Sequence, residues 1–328
     1  MDEVTDRAPV KSTPKVSGVT KMSEVEINEV PITAPPVKSK NSEMPQTPEG
    51  GDNGCGCATE SAIADAGKPA PNYIYALGRV VARFPTLGLE KEFARAAGMT
   101  ETTGLTDRET FHAVLSKPEN RYLARKIYWA FAIEGMPAYV LFPRHRGDLE
   151  ALIEAIRPVP KAMDVDVIIG EKGPIAPPEM CGGLQLPMVA FDHAFSFDRD
   201  SMIKSIPRPE SIPEKDDPKF RSAAGELFDR IMQVADNMGA ADEHRALNYL
   251  AVRYPGIYAK AAEEFGRNFS LTGVVGRPSR LSGARKVVSA IFSYTHRETD
   301  VTEKYFVRVD TTEVFPFMVT KMAPYYDR

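Results

Sequence analysis

From residue 73 onward, apolar positions recur with periods that separate strands from helices. Residues 73–84 (YIYALGRVVARF) are rich in β-branched and aromatic side chains and read as a strand. A short amphipathic helix over 88–98 stops at Gly98, and Thr106-Asp107-Arg108-Glu109 fits a capping box that opens a helix to about Leu115. Residues 121–133 are apolar and ambiguous, with 127–133 read as a strand. A turn at 134–137 returns the chain as a hairpin over 138–142. Leu149, Leu152, Ile153 and Ile156 give a helix over 148–156. Strands are expected at 165–169 and 186–191, separated by a Gly/Pro-rich loop over 173–187. Pro207, Pro209, Pro213 and Pro218 mark 206–218 as a candidate boundary. Beyond it three helices (218–237, 242–254, 256–265) precede four β-rich runs (269–276, 284–294, 303–310, 313–320), with a turn at Asp310-Thr311-Thr312. The expected class is α+β: a mixed α/β half over 72–206, then a helices-then-antiparallel-sheet half over 214–328.

Composition adds a third region. Of 328 residues, 1–71 contain no Phe, Trp or Tyr, and they hold nine of the 27 prolines. So little apolar material does not offset the entropy of ordering, and 1–71 is expected to be a disordered, acidic Pro/Ser/Thr-rich tail. That leaves roughly 255 residues to fold, enough for one compact domain or two small ones. The tail carries 11 acidic and 7 basic residues, and the remainder 34 of each. The folded part has no basic excess, which argues against nucleic acid as a partner. No run of eighteen apolar residues predicts a membrane span, and the start of the chain has neither basic nor apolar signal-peptide regions. Three cysteines make no disulfide framework, so the expected location is a reducing cytoplasm.

Candidate chemistry is sparse. There is no phosphate-binding glycine loop, no His-Glu-x-x-His and no paired Cys-x-x-Cys; Gly273-Val274-Val275-Gly276 does not open a helix. Cys55-Gly56-Cys57 places two thiols where they could share one soft metal ion. Zinc is the candidate cofactor, with Cys181 and one of five histidines (His112, His145, His193, His244, His296) as further donors. The plainer alternative is a solvated thiol pair in the tail with Cys181 a small buried hydrophobe. Cys181, with adjacent glycines and His193 twelve residues on, is also a candidate nucleophile, but no third group is evident. Asp164 and Asp166 flank Val165 and would share one face of a strand, as a carboxylate pair or as its solvated side. Arg144-His145-Arg146 and Arg277, Arg280 and Arg285 are candidate contacts for an acidic peptide, or simply surface. The aromatic groups Tyr73/Tyr75, Tyr128/Trp129/Phe131 and Phe315/Phe317 are either core or the lining of a peptide groove. No catalytic residue is assigned.

Several longer runs carry a resemblance. Residues 73–79 (YIYALGR), Arg83-Phe84-Pro85, Leu89-Glu90-Lys91-Glu92-Phe93, Gly104-Leu105-Thr106-Asp107, 120–125 (NRYLAR), 164–170 (DVDVIIG) and 173–181 (GPIAPPEMC) resemble the C-terminal domain of the PatG family of cyanobactin (patellamide-type) maturation proteins. The resemblance runs from about 72 to the end and is firmest over 72–200. It implies a domain of unknown function attached to peptide-modifying and macrocyclising enzymes. The family's subtilisin-like motifs are missing from this sequence, so no protease activity is expected of it. The leading expectation is a non-catalytic accessory protein of ribosomally made, modified-peptide biosynthesis. It would bind a precursor peptide or a peptide-modifying enzyme, with a homodimer among the expected assemblies and strand addition as one route. Two alternatives stand beside it: a metal- or cysteine-dependent peptide-modifying enzyme using Cys55, Cys57 and Cys181, and a tail that is itself a precursor-like substrate.

Overall fold

The computed structural model describes residues 72–99, 107–158, 164–210, 212–280 and 283–326. Among them, nine strands form two sheets and eight α-helices pack around them, an α+β architecture as the sequence pattern indicates. Strands β1 (Tyr73–Arg83), β2 (Tyr128–Ile133), β3 (Met136–Phe142), β4 (Asp164–Ile175) and β5 (Pro187–Asp198) close into a barrel in the order β1-β2-β3-β5-β4. All its pairings are antiparallel except β3 with β5, which run parallel over Val140–Phe142. Strands β6 (Phe269–Pro278), β7 (Val287–His296), β8 (Thr302–Asp310) and β9 (Phe317–Pro324) form an antiparallel sheet in sequence order. The short β2–β3 turn puts Glu134 and Gly135 at φ 50° and 81°, the two positive values a two-residue hairpin turn needs.

Helices α1 (Leu87–Ala97), α2 (Arg108–Leu115), α3 (Arg121–Lys126) and α4 (Arg146–Ala155) supply Phe93, Phe111, Leu123 and Leu152 to a core shared with the barrel strands. There Phe84, Phe93 and Phe111 stack with centroids 4.9–5.1 Å apart. Helices α5 (Arg199–Ser205), α6 (Asp217–Met232), α7 (Asp242–Arg253) and α8 (Gly256–Gly266) share a second core with one face of the four-stranded sheet. The barrel wall β1–β4 belongs to both cores. Ile74, Ala76 and Ile168 point into the barrel, while Tyr75, Leu77, Val167 and Ile169 point into the second core. Burial on both faces explains why these strands read as continuous apolar runs instead of alternating ones.

Strand β1 changes partner along its length: 73–78 pair with β4 and 79–83 with β2. Two devices deal with the backbone groups this leaves over. Asp166, 1% exposed inside the barrel, accepts a hydrogen bond from Val80 N (2.6 Å) and one from Ser196 Oγ. At Tyr75, the N–H donates to Gly239 O (2.8 Å) and the C=O accepts from Asn248 Nδ2 (2.8 Å). Asn248 is completed by Asn237, the two amides exchanging bonds of 2.8 and 3.1 Å. Gly239 sits at φ +70°, and an added Cβ would lie 2.5 Å from Tyr75 O, so both conformation and space demand glycine there.

Several local expectations shift. The capping residue of α2 is Asp107, which makes no side-chain cap bond; Thr106 lies outside the described residues. The region 121–133 divides into α3 and β2. The 173–187 loop is shorter than expected, because β4 continues through a bulge to Ile175 and a 3-10 turn occupies Pro178–Met180. The polar helix α5 escapes apolar periodicity; it is set by Asp198, whose side chain caps Ser201 N at 2.7 Å. The last strand begins four residues later than expected, because 311–316 form a connection instead. In it Asp310 Oδ1 accepts from Thr312 N (2.9 Å), and the Arg245 guanidinium binds the carbonyls of Thr311 (2.6 Å), Glu313 and Val314 (3.2 Å). The expected tail, 1–71, lies outside the described residues.

Replacing Asn248 with Ala strips partners from the Tyr75 carbonyl and the Asn237 amide in a dry core. We expect a loss of about 2–4 kcal/mol in a urea titration. A loss under about 1 kcal/mol means the clamp is not what joins β1 to α7.

Candidate functional site

Helix α7 positions one small cleft. Its buried face anchors Arg245 and Asn248, and Tyr249 and Arg253, four residues apart, project together from an adjoining face. They meet Tyr75 and Ile169 from the β1–β4 wall, His193 and Phe195 from β5, and Phe315 and Pro316 from the connection that Arg245 holds. The cavity is ≈ 150 Å³. Its sides are aromatic: Tyr249 meets the Tyr75 ring edge-on at 6.3 Å, and His193 meets Phe315 at 5.1 Å. The Arg253 guanidinium lies 5.3 Å over the Phe195 ring.

Tyr75 forms the floor. The residue is 2% exposed, yet its hydroxyl has no hydrogen-bond partner. Burial pushes the phenol up to about 12, and the Arg253 guanidinium beside it acts against that rise. Two other buried phenols are paired, Tyr139 donating to Met238 O at 2.8 Å and Tyr258 to Ala251 O at 2.5 Å, whereas the Tyr294 hydroxyl, away from this cleft, is also without a partner. Arg253 has no carboxylate partner among the described residues, and no acidic side chain lines the cleft. It therefore offers a cation and a neutral donor at the end of an aromatic slot.

Two of the larger clefts are chemically quieter. In the ≈ 760 Å³ groove between α5 and α6, Arg199 is paired with Asp229 (2.5 Å) and Asp200 (3.2 Å), and Arg221 with Asp217 (3.3 Å). The ≈ 400 Å³ groove beside β2, β3 and α4 is bordered by Trp129, Phe142 and Met180. Its Trp129 N–H is taken by Ala124 O, and Arg144 pairs with Glu171 (3.1 Å) and Asp192 (3.4 Å).

The residues singled out in the sequence scatter. Cys181 is buried among Val140, Ala176, Tyr128 and Leu186; its Sγ lies 3.7 Å from Pro177 O, and burial pushes the thiol up. His193 belongs to the aromatic cleft, not to the packing around Cys181. Asp166 serves the β1 backbone, so the solvated-face reading of that position does not hold; the side chain of Asp164 lies outside the described residues. His145 sits at the N-terminus of α4, His112 in the last turn of α2, and His296 at the end of β7, where its Nδ1 accepts from Glu298 N and Thr299 N (3.3 Å each). Burial lowers the His244 pKa. Arg285 lies 3.6 Å from Asp310. Among the described residues no group of three or more His, Cys, Asp or Glu is arranged to hold a metal ion, and Cys55 and Cys57 lie outside those residues. Tyr75 and Phe315 stand out in the sequence as members of aromatic groups. Tyr249, Arg253 and Phe195 do not, and the one sequence signal for them is the i, i+4 Tyr–Arg spacing on the expected 242–254 helix.

The family model for the PatG C-terminal region matches residues 214–325. That is the helices-then-sheet half, whereas the motif resemblance is firmest over 72–200. A solved structure described as "PatG Domain of Unknown Function" aligns with TM-score 0.63 at 15% identity, covering 77% of this chain and 98% of that one. At that identity the likeness establishes the fold. No curated protein matches the chain.

Two measurements follow. Tyr75→Phe removes a hydroxyl that bonds nothing, so folding stability should stay within about 0.5 kcal/mol of the parent or rise. A loss above about 1 kcal/mol in urea would mean the phenol has a partner. The thiolate reading expects about one zinc per reduced full-length chain and none in a chain beginning at Tyr73. Equal, negligible zinc in both removes it.

Proposed function

We propose that this chain is a non-catalytic accessory protein of cyanobactin-type peptide biosynthesis that holds an extended peptide along β9; the match of residues 214–325 to the PatG C-terminal family model supports the pathway. One observation carries this reading. β9 has a neighbour on one side only, and the chain entering and forming it exposes Phe315 (45%), Phe317 (48%) and Val319 (45%). Exposed apolar side chains at i, i+2 and i+4 repeat with the period of an extended strand, so they suit an extended occupant better than a helix. Free backbone groups along an edge strand would supply affinity, and alternate side chains would supply selection.

The pathway half of the proposal rests on the family match, and the peptide half on the edge. A partner enzyme presenting an extended segment would use the same surface. The cytoplasm stays the proposed location; no helix among the described residues is long and apolar enough to cross a membrane.

The test is fluorescence anisotropy with the precursor peptide from the same gene neighbourhood, comparing the parent with Phe317→Asp/Val319→Asp. Both sites are solvent-facing, so the fold should survive, as a thermal melt will show. Loss of two apolar contacts should weaken binding at least about tenfold. Unchanged binding by the double variant, or no binding by the parent, would sink the proposal.

A further inference from the structure

The aromatic cleft lies where β9 begins. Phe315 and Pro316 line it, and Phe317 is the first residue of the edge strand. An extended chain laid against β9 would therefore reach Tyr75, His193 and Arg253 at one end. We propose that this cleft is a carboxylate-binding subsite that receives a carboxyl group on a short apolar stem at the end of such a peptide; the peptide context rests on the reading above.

Size, donors and charge point the same way. At ≈ 150 Å³ the cavity is well below the roughly 300 Å³ at which drug-sized pockets begin, so it suits one side chain or one chain terminus. The Tyr75 hydroxyl is a buried donor with nothing to bond, on the floor of the slot. Arg253 lies 5.3 Å over the Phe195 ring and beside the Tyr75 phenol, with no carboxylate partner among the described residues, and a guanidinium can present two N–H donors to a two-oxygen acceptor. One guanidinium, one phenol and the His193 ring match a carboxylate's charge and its two oxygens. A dianionic phosphate would call for more cations than the lining provides. Tyr249, Phe195 and Phe315 would flank the apolar stem.

Binding by the full-length chain is measured with four probes. They are labelled Thr-Val-Thr-Val-Phe with a free C-terminal carboxylate, its C-terminal amide, the amide of Thr-Val-Thr-Val-Glu, and 3-phenylpropionate observed by proton NMR line broadening. The expected result is that a carboxylate-bearing peptide binds about tenfold or more tighter than the Phe amide. Arg253→Gln and Tyr75→Phe should each narrow the difference between acid and amide to about threefold or less. Preference for the free terminus or for the Glu amide identifies which carboxylate is taken, and either supports the subsite. Equal binding of acid and both amides, lost only in Phe317→Asp/Val319→Asp, overturns the subsite and leaves the strand reading intact. If no peptide binds but 3-phenylpropionate does, in an Arg253-dependent way, the subsite stands and the peptide reading falls. If neither binds, both fall.

Discussion

The structure depends on what happens to the backbone of one residue, Tyr75. On one side β1 is laddered to β4; on the other, β2 does not begin to pair until Arg79, so the N–H and C=O of Tyr75 face a region with no strand. Burying both unpaired would cost several kcal/mol, about 1–3 for each group. The carbonyl of Gly239 and the amide of Asn248 take the place of the missing strand. This is possible only because α7 lies directly over the gap, because a glycine at φ +70° brings the α6–α7 connection within reach, and because the reciprocal amide pair with Asn237 fixes which end of Asn248 donates. A barrel with an incomplete edge and a helix that covers it thus become one packed unit with a shared core.

The same helix builds the cleft, and this makes the cleft precise. Arg245, one turn before Asn248 and 1% exposed, holds the carbonyls of Thr311, Glu313 and Val314, so the segment leading to Phe315 and Pro316 is tied to α7 by charge-assisted bonds. Asn248 fixes the residue that forms the floor. Tyr249 and Arg253 follow on the exposed side. The floor, the α7 wall and the Phe315–Pro316 wall are therefore referenced to one rigid element, which suits recognition of a small group. Against that order, the unpartnered Tyr75 hydroxyl is conspicuous. Phe would fill the same volume without the about 1–3 kcal/mol that a buried orphan hydroxyl costs. The buried phenols of Tyr139 and Tyr258 do find acceptors; that of Tyr294 does not, but it opens on no cleft described above.

The fold class and most elements are legible in the sequence because they follow from local rules: apolar period, a glycine stop at Gly98, a two-residue turn at Glu134-Gly135. What escapes is governed by contacts distant in sequence. The start of β9 is set by Arg245, 66 residues before Thr311. Helix α5 has too little apolar pattern to register and relies on a cap. Asp166 looks like a solvated strand carboxylate until Val80, 86 residues away, is seen to donate to it. The cleft was least legible of all, since its residues come from β1, β4, β5, α7 and the β8–β9 connection, on both sides of the proline-rich 206–218 segment. No spacing rule links Tyr75 to Arg253.

The exposed edge of β9 supports the same functional direction as the cleft by an independent argument. Edge strands invite unwanted pairing, and proteins blunt them with charge, proline and short length. β9 has some of this: Pro316 precedes it, Pro324 ends it and Lys321 interrupts it. Yet the stretch between Phe315 and Val319 exposes three large apolar side chains at strand spacing, with no charge among them. A chain selected only to avoid self-association would place a lysine at one of those positions at almost no cost to folding, since each is about half exposed. Retaining Phe, Phe and Val there is reasonable if the edge is meant to be covered. The apolar stretch runs directly into the slot floored by Tyr75, so what covers the edge and what fills the slot are most economically one extended chain.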